Sequence, residues 1–230
     1  MPKQLTKTVY TFRELIEAAA NPESNVGSRA VEKARDWLRQ GATDYQWWDF
    51  TYDDWKTALE QLGFTNPEIN FSGFWSQGDG ASFTSGLDIR KLLRFFTVPI
   101  ESSGTVLDGE NDSWLPYIVG KVGQTINARY EWLYLALDQL SGDVKRTGHH
   151  YVHENTCDAE IYFDHPKMAK ELNVVIDAFQ EDVEALREDL CKVIYAALEE
   201  EYEYRTDDEQ LIDDSDANEY TFDESGRRDG

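Results

Sequence analysis

Between residues 28 and 62 the apolar positions recur every three or four residues. Ala30, Ala34, Trp37 and Leu38 form one stripe, and Trp55, Ala58, Leu59 and Leu62 form a second. That spacing predicts two helices, each with one buried face. Ser28 is placed to cap the first and Gly41 to end it. Thr51 is placed to cap the second, with Asp53 and Asp54 in its first turn and Gly63 closing it. Ile89, Leu92, Leu93 and Phe96 predict a short helix over 88–96. A long one is expected from Trp114 to about Leu140, with Pro116 in its first turn and Ser141–Gly142–Asp143 as the stop. The longest stripe (Leu172, Val175, Ile176, Phe179, Val183, Leu186, Leu190, Ile194, Ala197, Leu198) predicts a helix over 167–204. Near the N-terminus, Thr8–Phe12 alternates as a short strand, or an extended lead-in, before a helix at 13–20.

Elsewhere the period is two. Residues 69–76 and 81–88 alternate around Gln77–Gly78–Asp79–Gly80, a glycine-flanked aspartate suited to a tight hairpin turn. With Gly78 and Asp79 at its centre, Ser76 faces Ala81, Phe74 faces Phe83 and Ser72 faces Ser85. The other face then carries Phe71, Trp75, Ser82 and Thr84 around Gly73. A second hairpin is expected over 149–163, turning at Asn155–Thr156. His153 then faces Asp158 and Tyr151 faces Glu160. One face gathers His149, Tyr151, His153, Asp158, Glu160 and Tyr162; the other gathers Val152, Cys157, Ala159, Ile161 and Phe163 as core.

These elements predict an α+β fold: an antiparallel sheet of hairpins covered by helices, with one long C-terminal helix and an acidic tail. The expected organisation is a single domain over 1–204 and an acidic appendage over 205–230. The appendage is read as a short helix at 207–217, an edge strand at 219–222 and a disordered end.

Charge changes the picture most. The chain carries 45 acidic against 22 basic residues, a net charge of −23. Residues 199–230 alone hold 14 Asp and Glu against three arginines. Such a field repels nucleic-acid backbones and anionic membranes. It leaves solubility, attraction to a basic protein partner, or mimicry of a nucleic acid. Seven tryptophans and twelve tyrosines supply a core. Two cysteines, Cys157 and Cys191, at positions that read as buried, imply no disulfide framework. No apolar run is long enough to span a membrane.

The candidate chemistry is sparse. Trp47 and Trp48 sit in an aromatic and acidic segment, 44–55, that either anchors a helix or lines a binding groove. Phe71, Trp75, Ser76, Gln77, Asp79 and Ser82 form the second candidate surface. Tyr151, His153, Asp158 and Glu160 form the third, where an opposed His–carboxylate pair would set a tautomer or an acid/base couple. His149 and His153 lie too far apart along a strand to share a metal ion. Gln77–Gly78–Asp79–Gly80 lacks the lysine and following helix of a phosphate loop. No catalytic residue, metal site or cofactor is assigned.

The run Phe71–Ser72–Gly73–Phe74–Trp75–Ser76–Gln77–Gly78–Asp79–Gly80–Ala81–Ser82–Phe83 resembles the signature of a family of tailed-bacteriophage proteins. Further pieces fit the same family in the same order. They are Val9–Phe12 with Glu14–Leu15, Asp44–Tyr45 through Trp47–Trp48–Asp49, His149 to His153, Leu198–Glu199 through Glu203–Tyr204, and Ala217–Asn218–Glu219–Tyr220. The resemblance implies a phage protein of the kind labelled as an antitoxin. The resulting expectation is a non-enzymatic accessory protein in the host cytoplasm. It would neutralise a host protein, such as a toxin or a DNA-handling defence factor, without contacting nucleic acid or membrane. The alternative is a protein that binds or turns over a nucleotide-like small molecule in a pocket between the two hairpins. A structural role predicts a symmetric oligomer instead; the oligomeric state is open.

Overall fold

The computed structural model describes residues 7–100, 114–148, 150–164 and 170–229. In chain order the elements are helices α1 (Phe12–Ala20), α2 (Ser28–Thr43) and α3 (Asp49–Leu62), strands β1 (Phe64–Phe71) and β2 (Ala81–Leu87), and helices α4 (Ile89–Thr97) and α5 (Leu115–Val122). A 3-10 segment (Ala128–Gln139), β3 (Leu140–Arg146) and β4 (Cys157–Phe163) follow. Helices α6 (Lys170–Thr206) and α7 (Asp208–Ala217) and the two-residue strands β5 (Thr221–Phe222) and β6 (Arg228–Asp229) complete the chain. The class is α+β, as the two periodicities predict.

The chain divides into two compact units, Met1–Asp49 with Glu199–Gly230, and Phe50–Leu198. In the first, Phe12, Leu15, Val31, Ala34 and Leu38 pack with Leu211 and Phe222. Residues 205–230, expected as an appendage, therefore supply part of a core. The 219–222 segment does not edge the main sheet: β5 pairs with β6, and Tyr10 and Phe222 exchange backbone hydrogen bonds of 2.9 and 2.8 Å. The end expected to be disordered is instead a tight turn and a strand. Arg35 clamps Asp208 with two hydrogen bonds of 2.6 and 2.8 Å. The Arg228 guanidinium lies about 5 Å from the ring centres of both Trp37 and Tyr220.

The second unit holds a four-stranded antiparallel meander, β1-β2-β3-β4. The first expected hairpin is present in altered form, and the second is replaced by another pairing. In the first, Phe71 faces Ala81 and Ile69 faces Phe83, with an irregularity between Thr65 and Glu68. Phe83 packs on Phe64 at 5.1 Å rather than opposing Phe74. The alternation continues to Ser76, but residues 72–80 form a loop, because Gly73, Trp75 and Gly78 all take positive φ. In the second, β4 pairs with 140–146, not with 149–153: Lys145 faces Asp158 and Asp143 faces Glu160. The inward and outward sorting of β4 survives, since parity does not depend on the partner. Cys157 and Ala159 are buried, while Asp158, Glu160 and Tyr162 are exposed. His149 lies outside the described residues.

Two glycines explain the missed strand. Gly142 reads as a helix stop, yet a Cβ there would lie 2.5 Å from the Glu160 carbonyl oxygen. It is the close-approach glycine of a strand. Gly123, at φ 78°, closes α5 and divides the single helix expected over 114–140. The linker is then pinned by Gln124, whose amide donates to the carbonyls of Phe95 and Val98 and accepts from Ile100 N–H.

β4 is an edge strand, and α6 covers its free hydrogen-bonding groups. Gln180 accepts from Ile161 N–H at 2.6 Å and donates to the Ala159 carbonyl, and Glu184 accepts from Ala159 N–H at 2.7 Å. Edge protection by side chains removes a template for aberrant pairing. Gln180→Leu should therefore cost about 2 kcal/mol, because it strands two backbone groups. Urea unfolding would measure the loss.

Candidate functional site

In a meander the β1–β2 and β3–β4 connections emerge at the same end of the sheet. Here they are long, 72–80 and 147–156, and they pack on one another. Ser72 Oγ donates to the Val152 carbonyl at 3.2 Å. A Cβ on Gly78, itself at φ 90°, would sit 2.3 Å from the Tyr151 ring. One on Gly80 would sit 2.6 Å from His153 Cβ. The glycines of the signature run thus let two backbones meet, and the space between the loops is filled by Tyr151 and His153.

Each loop is also braced internally. Asp79 Oδ2 accepts from Ser76 N–H at 2.7 Å, and Asp79 N–H donates to the Ser76 carbonyl at 3.1 Å. The Ser72 N–H closes the base onto the Gly80 carbonyl at 3.3 Å. In the second loop His153 Nδ1 accepts from Asn155 N–H, and Thr156 Oγ1 bonds both the N–H and the carbonyl of His153. His153 is thus a capping residue. His150 stacks on Tyr151 at 3.9 Å.

The first loop carries an aromatic cluster. Phe74 is buried and lies 4.9 Å from Phe71, 5.5 Å from Tyr195 of α6 and 5.6 Å from Trp75. Trp75 itself is 81% exposed, with φ 63°. A bulky residue in the left-handed region is an outlier that the surrounding structure must enforce, and such outliers cluster at functional positions.

Of the residues named from the sequence, Phe71, Trp75, Ser76, Gln77, Asp79, Tyr151 and His153 come together here. Ser82 does not join them. It lies on β2 where Ala81, Ser82 and Phe83 are all buried, so both faces of the strand are covered; it is 1% exposed, and its hydroxyl has no hydrogen-bond partner among the described residues. Asp158 and Glu160 lie on the exposed face of β4. There Lys145 pairs with Asp143 at 2.8 Å and donates to the Tyr162 hydroxyl, which donates to Glu160 at 2.6 Å. That is a solvated face with one lysine among three carboxylates, and His153 does not oppose Asp158 in it. Trp47 and Trp48 belong to the first unit, where they pack together and Trp47 meets Tyr202 at 5.7 Å.

Residues 47–208 match the model of the family described as Domain of unknown function (DUF8835). That is well over half of the chain. The chain belongs to the DUF8835 family. No curated protein and no solved structure matches it.

Behind the second loop of this DUF8835 domain lies a cluster that the helix stripe concealed. Arg187, on the buried face of α6, is 2% exposed. Its Nη1 lies 3.5 Å from Cys157 Sγ and 3.9 Å from Cys191 Sγ and donates to the Glu154 carbonyl; Nη2 pairs with Glu184. The two sulfurs are 4.0 Å apart. A cation among Val183, Leu186, Leu190 and Ile194 was the available signal. The Cys191 thiol donating to it, and then Arg187, lower Cys157 to about 7, while the neighbouring sulfur and burial push Cys191 up. Unfolded, Cys157 binds its proton up to about pH 9; folded, it releases it near 7. Stability should therefore rise with pH between those values. Urea unfolding across the window would show the slope, and Cys157→Ser would flatten it. Both sulfurs are buried, which shields them as nucleophiles.

Among the described residues, no group of three or more His, Cys, Asp or Glu is placed to hold a metal ion. No described helix is long and apolar enough to cross a membrane.

Proposed function

We propose that this DUF8835 protein is a non-enzymatic binding protein that engages a basic protein partner, with Trp75 as the anchor. The observation that carries this reading is the 81% exposure of a tryptophan held at positive φ on a braced loop. A large apolar side chain on a loop whose backbone is braced before binding spares the cost of ordering that loop, and tryptophan is among the residues most enriched in binding hot spots. The net charge of −23 supplies the complementary long-range term. It speeds encounter with a basic surface and disfavours nucleic acid and anionic membranes. The resemblance to phage proteins supports, as the partner, a host factor in the infected cytoplasm, such as a toxin or a protein that itself handles DNA.

Immobilised full-length protein should retain one basic host protein from bacterial lysate in stoichiometric amount, and added salt should elute it. Retention of a nucleotide-sized ligand with no protein would count against this reading.

A further inference from the structure

The 3-10 segment 128–139 has an uncommon property. In this geometry side chains three residues apart eclipse one another, so each face is a straight row. Tyr130, Leu133 and Ala136 form the buried row. Arg129, Trp132, Leu135 and Asp138 form an exposed one. Trp132 is 67% exposed and Leu135 82%. Among the described residues, neither the Arg129 guanidinium nor the Asp138 carboxylate has an ion-pair partner.

We propose that this row is a contact between two copies of the chain, related by a two-fold axis. The row reads basic, apolar, apolar, acidic. Turned end for end on itself, it sets Arg129 against Asp138 of the second copy and Trp132 against Leu135, and symmetry makes each contact twice. At a rise of about 2 Å per residue the charged ends lie about 18 Å apart, with the apolar pair midway between them. Charge decides the occupant. A uniformly basic partner would meet Arg129 and an acidic one Asp138, whereas a second copy satisfies both. The contact is small, and two chains of net charge −23 repel. The dimer therefore belongs to the weak, concentration-dependent class. The segment leads into the start of β3, so it lies at the end of the sheet opposite the paired loops. Self-association leaves Trp75 open, and the proposal stands independently of the partner reading.

The test is sedimentation velocity of the full chain over a concentration series at moderate salt. Wild type should shift from monomer towards dimer as concentration rises, and Leu135→Asp should stay monomeric. Arg129→Asp and Asp138→Arg should each weaken association about tenfold or more, because each places like charges together twice. The double reversal, Arg129→Asp with Asp138→Arg, should restore it. All four side chains are exposed, so melting curves should be unchanged. A wild type that stays monomeric at the highest concentration would overturn the proposal. So would a dimer indifferent to Leu135→Asp, or a double reversal no better than the single ones.

Discussion

Trp75→Ala should lower affinity for the captured partner by about 2–4 kcal/mol, thirty-fold or more, while leaving stability within about 0.5 kcal/mol of wild type. The two effects separate because the indole faces solvent while Phe74, Phe71 and Tyr195 make the packing beneath it. Trp75→Gly sharpens the separation. It removes the same anchor, but glycine adopts φ 63° without strain, so the variant should gain up to about 1 kcal/mol in stability. Titration calorimetry against the purified partner and urea unfolding would read the two quantities side by side. A variant that binds weakly only because it is unfolded would show both losses together.

Gly226→Ala should cost about 3 kcal/mol or more of stability. Gly226 turns the chain between β5 and β6 at φ 74°, and an added Cβ would lie 1.9 Å from the Ala30 carbonyl oxygen of α2. The turn is otherwise well held. Asp223 Oδ1 accepts from the N–H groups of Ser225 and Arg227 and from the Ser225 hydroxyl. The Ser225 hydroxyl, and then the Arg227 N–H, hold that carboxyl below its ordinary range. The substitution should therefore displace the C-terminal strand pair and expose the segment to limited proteolysis. Glu224→Ala, two residues away with an exposed side chain, should leave both readouts unchanged.

Periodicity carried the architecture further than it carried the pairing. The stripes of α2, α3, α4 and α6 were all legible, because each helix buries one face and its apolar spacing records which. The faces of β4 were legible for the same reason. Its partner was not, since Gly142 speaks equally for a helix stop and for a strand under close approach, and only the neighbouring backbone distinguishes them. The hairpin register failed on one local fact. Trp75 continues the apolar alternation of a strand but is held at positive φ, so the run that looked like sheet is a loop. The same fact makes the residue conspicuous. Ser82 was lost because both faces of β2 are covered at its position, and Asp158 and Glu160 were lost with the strand partner. Trp47 and Trp48 retain their aromatic packing, within the first unit. Arg187 was not legible because a long cationic side chain beside an apolar stripe is equally compatible with a head that reaches solvent, and only the packing shows it buried.

The measurement closest to the central claim is site-specific photo-crosslinking in host lysate. A photoreactive side chain would be placed at Gln77, exposed on the loop beside Trp75, and separately at Glu131 on the 3-10 segment. A single basic host protein joined through position 77, competed by unlabelled wild type and lost when Trp75→Ala is added, is the result predicted. Capture of that protein through position 131 and not 77, or capture at 77 that survives Trp75→Ala, would contradict the account.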